Sequence, residues 1–417
     1  METAAVPLGF QLDPTFDAVP VGSVQRGNLN LEAIERPRES DRFVVRGHLD
    51  VESPDAIPET LNGAPLFSDP VIAPFLTCIG DPPVGGPAQI GAKLNLAGLH
   101  ARGLDGTNVA VAIMDTGINA AHLRAKLGFS PRVDAANSWR PPGTTTNPFN
   151  HPVDHGTMCA YDVLIAAPKA VLIDFPILGS TAPGGAMTGS TLSVALQAYS
   201  QLLASWSVAF APGGLHKYSA LVVSNSWGIF HPSWDFPPGH PGRYIDNPNH
   251  TFTRLVGLLA QTRADIVFAA GNCGAQCSDI RCQSRTTQTI MGVNASADVL
   301  TIAGCDTTDV RVGYSSQGPS IANMHPQKPD LTAYTHFLGS EAFGAGSPDG
   351  GTSAACPVAA GCVAAIRTKE PPTATPPAAL IQQLITTARP AAGQAGWNGD
   401  YGHGIVDPDT AARSLGH

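Results

Sequence analysis

Short apolar runs rich in β-branched residues recur from about Gly103 onward: Val109–Met114, Val171–Pro176, Ala220–Ser224, Ile266–Ala270 and Val299–Ala303. Each has the length of a strand buried on both faces and is bounded by turn residues. Between the second and third runs, Leu192, Ala195, Leu196, Tyr199, Leu202, Leu203 and Trp206 recur at the i, i+3, i+4, i+7 spacing of one helix face. A second helical pattern, Phe252–Leu259, precedes the run at Ile266. Strands alternating with crossover helices predict an α/β fold: three layers, doubly wound, with a mainly parallel sheet and helices on both faces. Such sheets gather functional groups at the carboxyl ends of their strands.

Ahead of this pattern, residues 1–85 are rich in Pro, Gly and acidic side chains, with one strand-like run at Arg42–Arg46, and read as an N-terminal extension or pro-segment. Residues 86–417 form the main domain. Phe230–Asn249, with its Pro, His and Trp residues, reads as a long surface insertion. Pro371–Pro377 reads as a rigid linker before a last helix near Ala379–Ala388.

Composition narrows the function. The chain has 417 residues, 14% of them charged, and a formal net charge of -9, so it offers no basic face for nucleic-acid phosphates. No run of about 18 uncharged apolar residues is present to span a membrane. Met1–Pro20 lacks a basic n-region and a continuous apolar h-region, which favours a cytoplasmic protein, with secretion the alternative. Four of the eight cysteines, Cys273, Cys277, Cys282 and Cys305, fall in one stretch where they could form loop disulfides or bind a metal; reduced thiols are the plainer expectation.

Four segments carry chemistry. Asp115 ends the run Val109–Met114 in Met114-Asp115-Thr116-Gly117, placing a carboxylate where a buried strand meets solvent. Capping a turn is the plain alternative. Asp-Thr-Gly is also the tripeptide of aspartic proteases, but a single copy would require a homodimer. His155 opens an apolar helical stretch in Asp154-His155-Gly156-Thr157, a position suited to a general base. His151 and His122 read as surface histidines. Ser353 follows Gly350-Gly351-Thr352 and precedes Ala354-Ala355-Cys356-Pro357, at the start of a helix of small residues whose dipole favours developing negative charge. Ala269-Ala270-Gly271-Asn272 closes the run at Ile266 with a side-chain amide of the kind that stabilises a tetrahedral oxyanion.

In this order the four segments resemble the subtilisin-like serine proteases, the subtilase family. Ala167-Pro168-Lys169-Ala170, Ser226-Trp227-Gly228, Lys328-Pro329-Asp330 and Tyr401-Gly402-His403-Gly404 add to the resemblance, which runs from about residue 88 to residue 412. It implies a serine endopeptidase that cleaves peptide or protein substrates through an acyl-enzyme, with Asp115, His155 and Ser353 as the triad and Asn272 in the oxyanion hole. It further implies that Ser226, Trp227 and Gly228 pair with the substrate backbone and, with Ala269, Ala270 and Gly271, line the pocket before the scissile bond. Trp227 has a second expectation, packing in the core. No cofactor is implied for the chemistry; structural calcium is common in the family, but no ligand set stands out. Asp154 stands where the family usually has Gly, a carboxylate able to raise the pKa of His155. The alternatives are a peptide-maturation protease or ligase acting on a dedicated precursor, and a binding protein on a silenced protease fold.

Overall fold

The computed structural model describes residues 10–21, 42–74, 82–178, 190–207 and 214–417. Seven strands form one sheet in the order Leu331–Tyr334, Leu300–Cys305, Asp265–Ala269, Ala220–Asn225, Val109–Asp115, Val171–Pro176, Arg132–Val133. Every pairing is parallel. All five predicted runs are strands, within one or two residues at their ends. The two edge strands were not predicted.

Alternation along the central strand explains the layers. Val109, Val111 and Ile113 face one cluster, built on the helices His155–Ala166, Thr352–Arg367 and Pro377–Thr387. Ala110, Ala112 and Met114 face the other, built on Leu192–Ser207 and Thr251–Gln261. Successive side chains leave a strand on opposite faces, so a strand covered on both sides must be apolar throughout. The expected helix faces are the buried ones: Leu192, Ala195, Leu196, Tyr199, Leu202, Leu203 and Trp206 all lie in the second cluster.

Three expectations need correction. Phe230–Asn249 is not merely a surface insertion, because Phe230, Tyr244 and Ile245 are fully buried. The thiols are not all reduced: Cys273 and Cys282 form a disulfide, and Cys277 is also disulfide-bonded, whereas Cys305 is a buried thiol. The stretch Gly80–Pro87, expected as an exposed linker, is tied down where it is described; its residues 80 and 81 lie outside the described residues. The Val84 N–H donates to His336 O at 2.7 Å and the Leu338 N–H to Gly85 O at 3.0 Å.

Part of the N-terminal extension joins the core. Phe16, Val19 and Ile72 are buried in the second cluster, and Arg46 pairs with Asp13 while donating to Ser193 Oγ. The strand-like run at Arg42 is a short strand, Arg42–Val44, paired with Val19–Val21. Most consequential is Val71–Pro74, the middle strand of a small antiparallel sheet between Ser190–Thr191 and Trp227–Gly228.

Candidate active site

Asp115 is the last residue of the central strand, and its carboxylate accepts the Thr116 N–H at 2.7 Å. The loop that follows is braced from the neighbouring strand by Asp174, which accepts the N–H groups of Phe149 at 2.8 Å and Ile118 at 3.4 Å. Burial outweighs these bonds and pushes the Asp174 carboxyl up to about 7. His151 is no surface histidine: its ring lies 3.5 Å from Asp174, and burial lowers its pKa. His122 is half-buried, with Nε2 2.8 Å from Ser340 O.

His155 is the first residue of its helix. Its Nδ1 lies 2.8 Å and 3.0 Å from the two carboxylate oxygens of Asp115. The Gly156 N–H donates to Thr116 Oγ1 at 2.8 Å, which fixes the start of the helix against the Asp115 loop. Gly156 is required there, because a methyl group on it would stand 2.5 Å from Gly117 O. Asp154, the residue before His155, is partly buried, and burial pushes its own carboxyl up.

Ser353 is the second residue of the helix Thr352–Arg367, entered through Gly351 at φ +74°. Its Oγ lies 3.2 Å from Ser226 O, and its own carbonyl accepts the Ser226 hydroxyl at 2.9 Å. The helices that begin at His155 and Thr352 pack closely because residue 361 is Gly; a methyl group there would meet Val163 O at 2.4 Å. Asn272 is fully buried, and its Oδ1 accepts both the N–H and the hydroxyl of Thr352, at 2.9 and 3.0 Å. Those two donors set the amide with its –NH2 end as the donor.

Around Ser353 the remaining expected residues divide between backbone and side chain. Gly228 and Trp227 pair through their backbones with Ala73 and Pro74. The Trp227 side chain is core, fully buried and edge-on to Phe268 at 5.4 Å. Ala269 and Ala270 are buried, Ala269 O accepts the Asn294 amide at 2.9 Å, and the Gly271 N–H donates to Thr352 Oγ1 at 3.0 Å. Reasoning from the sequence missed Thr352, Thr116 and Asp174, whose positioning roles appear only once distant segments meet.

Calcium favours six to eight oxygens. Among the described residues the one cluster of three metal-capable side chains is Asp115, His155 and Cys159, in which the carboxylate and the ring are bonded to each other. No calcium ligand is assigned. Among the described residues no helix is long and apolar enough to cross a membrane.

Comparison with known proteins identifies the family. Residues 106–404 match the model of the subtilase family, Peptidase_S8. Subtilisin E of Bacillus subtilis (strain 168) is 23% identical over 335 residues, covering 77% of this chain and 70% of the relative. Fervidolysin from Fervidobacterium pennivorans, described as a keratinolytic enzyme related to subtilisin, superposes with a TM-score of 0.53 at 18% identity; 79% of this chain is covered, but only 45% of fervidolysin. MycP1 with its N-terminal propeptide removed gives the same TM-score and identity, covering 80% of this chain and 98% of the other. At such identities the two structures speak for the fold alone. Match of the family model over most of the chain shows more: the protein belongs to the subtilase family and is a serine peptidase, a hydrolase.

Proposed function

We propose that the protein is an endopeptidase in which Ser353 attacks the scissile carbonyl, His155 takes the hydroxyl proton and later delivers it to the leaving amine, and Asp115 holds the imidazole. The amide of Asn272 and the Ser353 N–H stabilise the oxyanion, and water resolves the acyl-enzyme. The observation that carries this reading is the strand Val71–Pro74. It is an extended peptide paired antiparallel between Ser190–Thr191 and Trp227–Gly228. The residue adjoining Trp227 is Ser226, whose carbonyl lies 3.2 Å from Ser353 Oγ. An extended chain docked as an added strand beside a nucleophile is the way a peptidase holds its substrate backbone.

In this form the chain holds its own segment in the substrate's place. Pro82, Val84 and Gly85 make hydrogen bonds with His336 and Leu338, on the loop that leads back toward Ser353. His155 and Ser353 are almost fully buried. Substrate entry therefore requires Val71–Pro74 to leave. The disulfides favour an oxidising compartment for maturation.

Hydrolysis of an unfolded protein by the wild type and by Ser353→Ala, followed by mass spectrometry, tests the reading; loss of all cleavage in the variant is expected, and equal cleavage contradicts it. The occupied cleft also favours a second reading, a binding protein silenced by its own extension. Ile72 anchors the strand in the core, so Ile72→Ala separates the two: faster labelling of Ser353 by a fluorophosphonate supports a displaceable occupant, and no labelling of either form supports silencing.

A further inference from the structure

Asp162 stands two helical turns beyond His155 on the same helix and is fully buried. Neither of its carboxyl oxygens meets a protein hydrogen-bond donor of the ordinary kind. What it meets is another carboxyl, that of Asp349. Asp349 is fully buried as well and lies four residues before Ser353, just ahead of the two glycines that admit the chain to the Ser353 helix. Its surroundings are different: one oxygen accepts the Ser340 N–H at 2.5 Å and the other the Ser340 hydroxyl at 2.6 Å. Its backbone is paired with Phe337 across the loop, N–H to O at 2.8 Å.

Two carboxyl groups in contact and out of water cannot both be ionised, because repulsion and lost hydration act together. With one proton between them the contact becomes a charge-assisted hydrogen bond, among the stronger kinds in a protein. Ser340 supplies two donors to Asp349, which favours the ionised form there, and Asp162 has no such donors. The proton accordingly belongs to Asp162.

We propose that Asp162 and Asp349 share one proton, Asp162 donating and Asp349 accepting, and that this bond is a clasp holding the helix of His155 against the loop that leads into Ser353. Both are positioning residues, since neither is placed to touch the substrate. The inference rests on the peptidase reading only for its kinetic consequence; the shared proton stands on the buried geometry.

A proton held this way makes the clasp sensitive to alkali. Burial is the leading cause that raises both carboxyls, Asp349 to about 6 and Asp162 well above the ordinary carboxyl range. Among the described residues the cationic group that acts on Asp349 is the half-buried His122. His122 and Lys126 reach toward the loop from the helix Ala120–Leu127, where His122 lies on Ser340 O and Lys126 pairs with Glu341 at the surface. Tyr161 and Cys159 flank Asp162 on its own helix, and both are pushed toward their neutral forms, first of all by burial. With Asp349 raised to about 6, the one-proton bond is complete above about pH 6, where Asp349 is ionised, and is lost as pH rises through the folded value of Asp162.

Asp162→Asn tests the proposal directly, because an amide donates to Asp349 without titrating, whereas Asp162→Ala removes the donor. At neutral pH, the infrared difference between wild type and Asp162→Asn should contain the carbonyl band of a buried protonated carboxylic acid; a difference spectrum without that band overturns the proposal. In pH profiles of kcat on a peptide substrate, Asp162→Asn should keep its activity to at least about one pH unit higher than wild type. Asp162→Ala should lose about tenfold in kcat with little change in KM. Coincident alkaline limbs for wild type and Asp162→Asn, or a wild-type kcat in Asp162→Ala, would count against the clasp. If wild type cleaves no peptide, the peptidase reading fails, and the infrared difference still decides whether the proton is shared.

Discussion

At Asn272 one end of the carboxamide is already committed, since Thr352 donates to Oδ1 from both its N–H and its hydroxyl. The other end is thereby set as a donor, and Thr352 immediately precedes Ser353, so the orientation of the amide and the start of the nucleophile's helix are fixed by the same contacts. Preorganisation of this kind costs nothing at the moment of reaction, and a single oxyanion donor of the subtilisin type is worth about 10²–10³-fold in kcat. Asn272→Ala should therefore lower kcat by roughly that factor while KM changes little, measured on a short peptide substrate. A fall confined to KM would show that Asn272 binds the ground state instead.

Among the elements, the helices that begin at His155 and Thr352 matter most, because their separation sets the distance between base and nucleophile. Gly361 lets them approach: a methyl group there would stand 2.4 Å from Val163 O, a backbone atom that moves only with its helix. Gly361→Ala should destabilise the fold by about 1–3 kcal/mol and lower kcat, readable as a denaturant midpoint and a rate on the same preparation. An unchanged midpoint would show that the contact is slack. Much of this arrangement was legible in the sequence. Asp115, His155, Asn272 and Ser353 each stand in a short local pattern at a strand end or helix start, where chemistry and turn geometry constrain neighbouring residues together. The edge strand Leu331–Tyr334 was not legible, being four residues long with Thr332 inside it and Lys328-Pro329 before it. Phe230–Asn249 misled because Phe230, Tyr244 and Ile245 are buried with no helical or strand period to announce them. The link between Asp162 and Asp349 joins residues far apart in sequence, and the disulfide required a choice among four nearby cysteines that spacing does not make.

On the scale of the whole molecule, the N-terminal extension is knitted into the peptidase fold, through Phe16, Val19 and Ile72 in the core and through Ser68, whose N–H donates to Gly242 O at 2.9 Å. His250 lies at this seam, edge-on to Phe67 of the extension and to Tyr244, with Nδ1 accepting the Phe252 N–H at 3.2 Å. Burial lowers its pKa from 6.5 to about 3. The unfolded chain therefore binds a proton below about pH 6.5 that the folded chain refuses until about pH 3, and stability falls by about 1.4 kcal/mol per pH unit across that window. His250→Asn retains an acceptor for Phe252 without titrating, so its melting temperature should drop less than that of wild type between pH 7 and pH 4; equal drops would contradict the assignment. Activation of Ser353 as a nucleophile by His155 and Asp115 is open to a direct test, fluorophosphonate labelling followed by peptide mapping. A single adduct on Ser353 is expected, lost in Ser353→Ala and slowed by orders of magnitude in His155→Ala; an adduct on another residue, or undiminished labelling of either variant, would contradict that role.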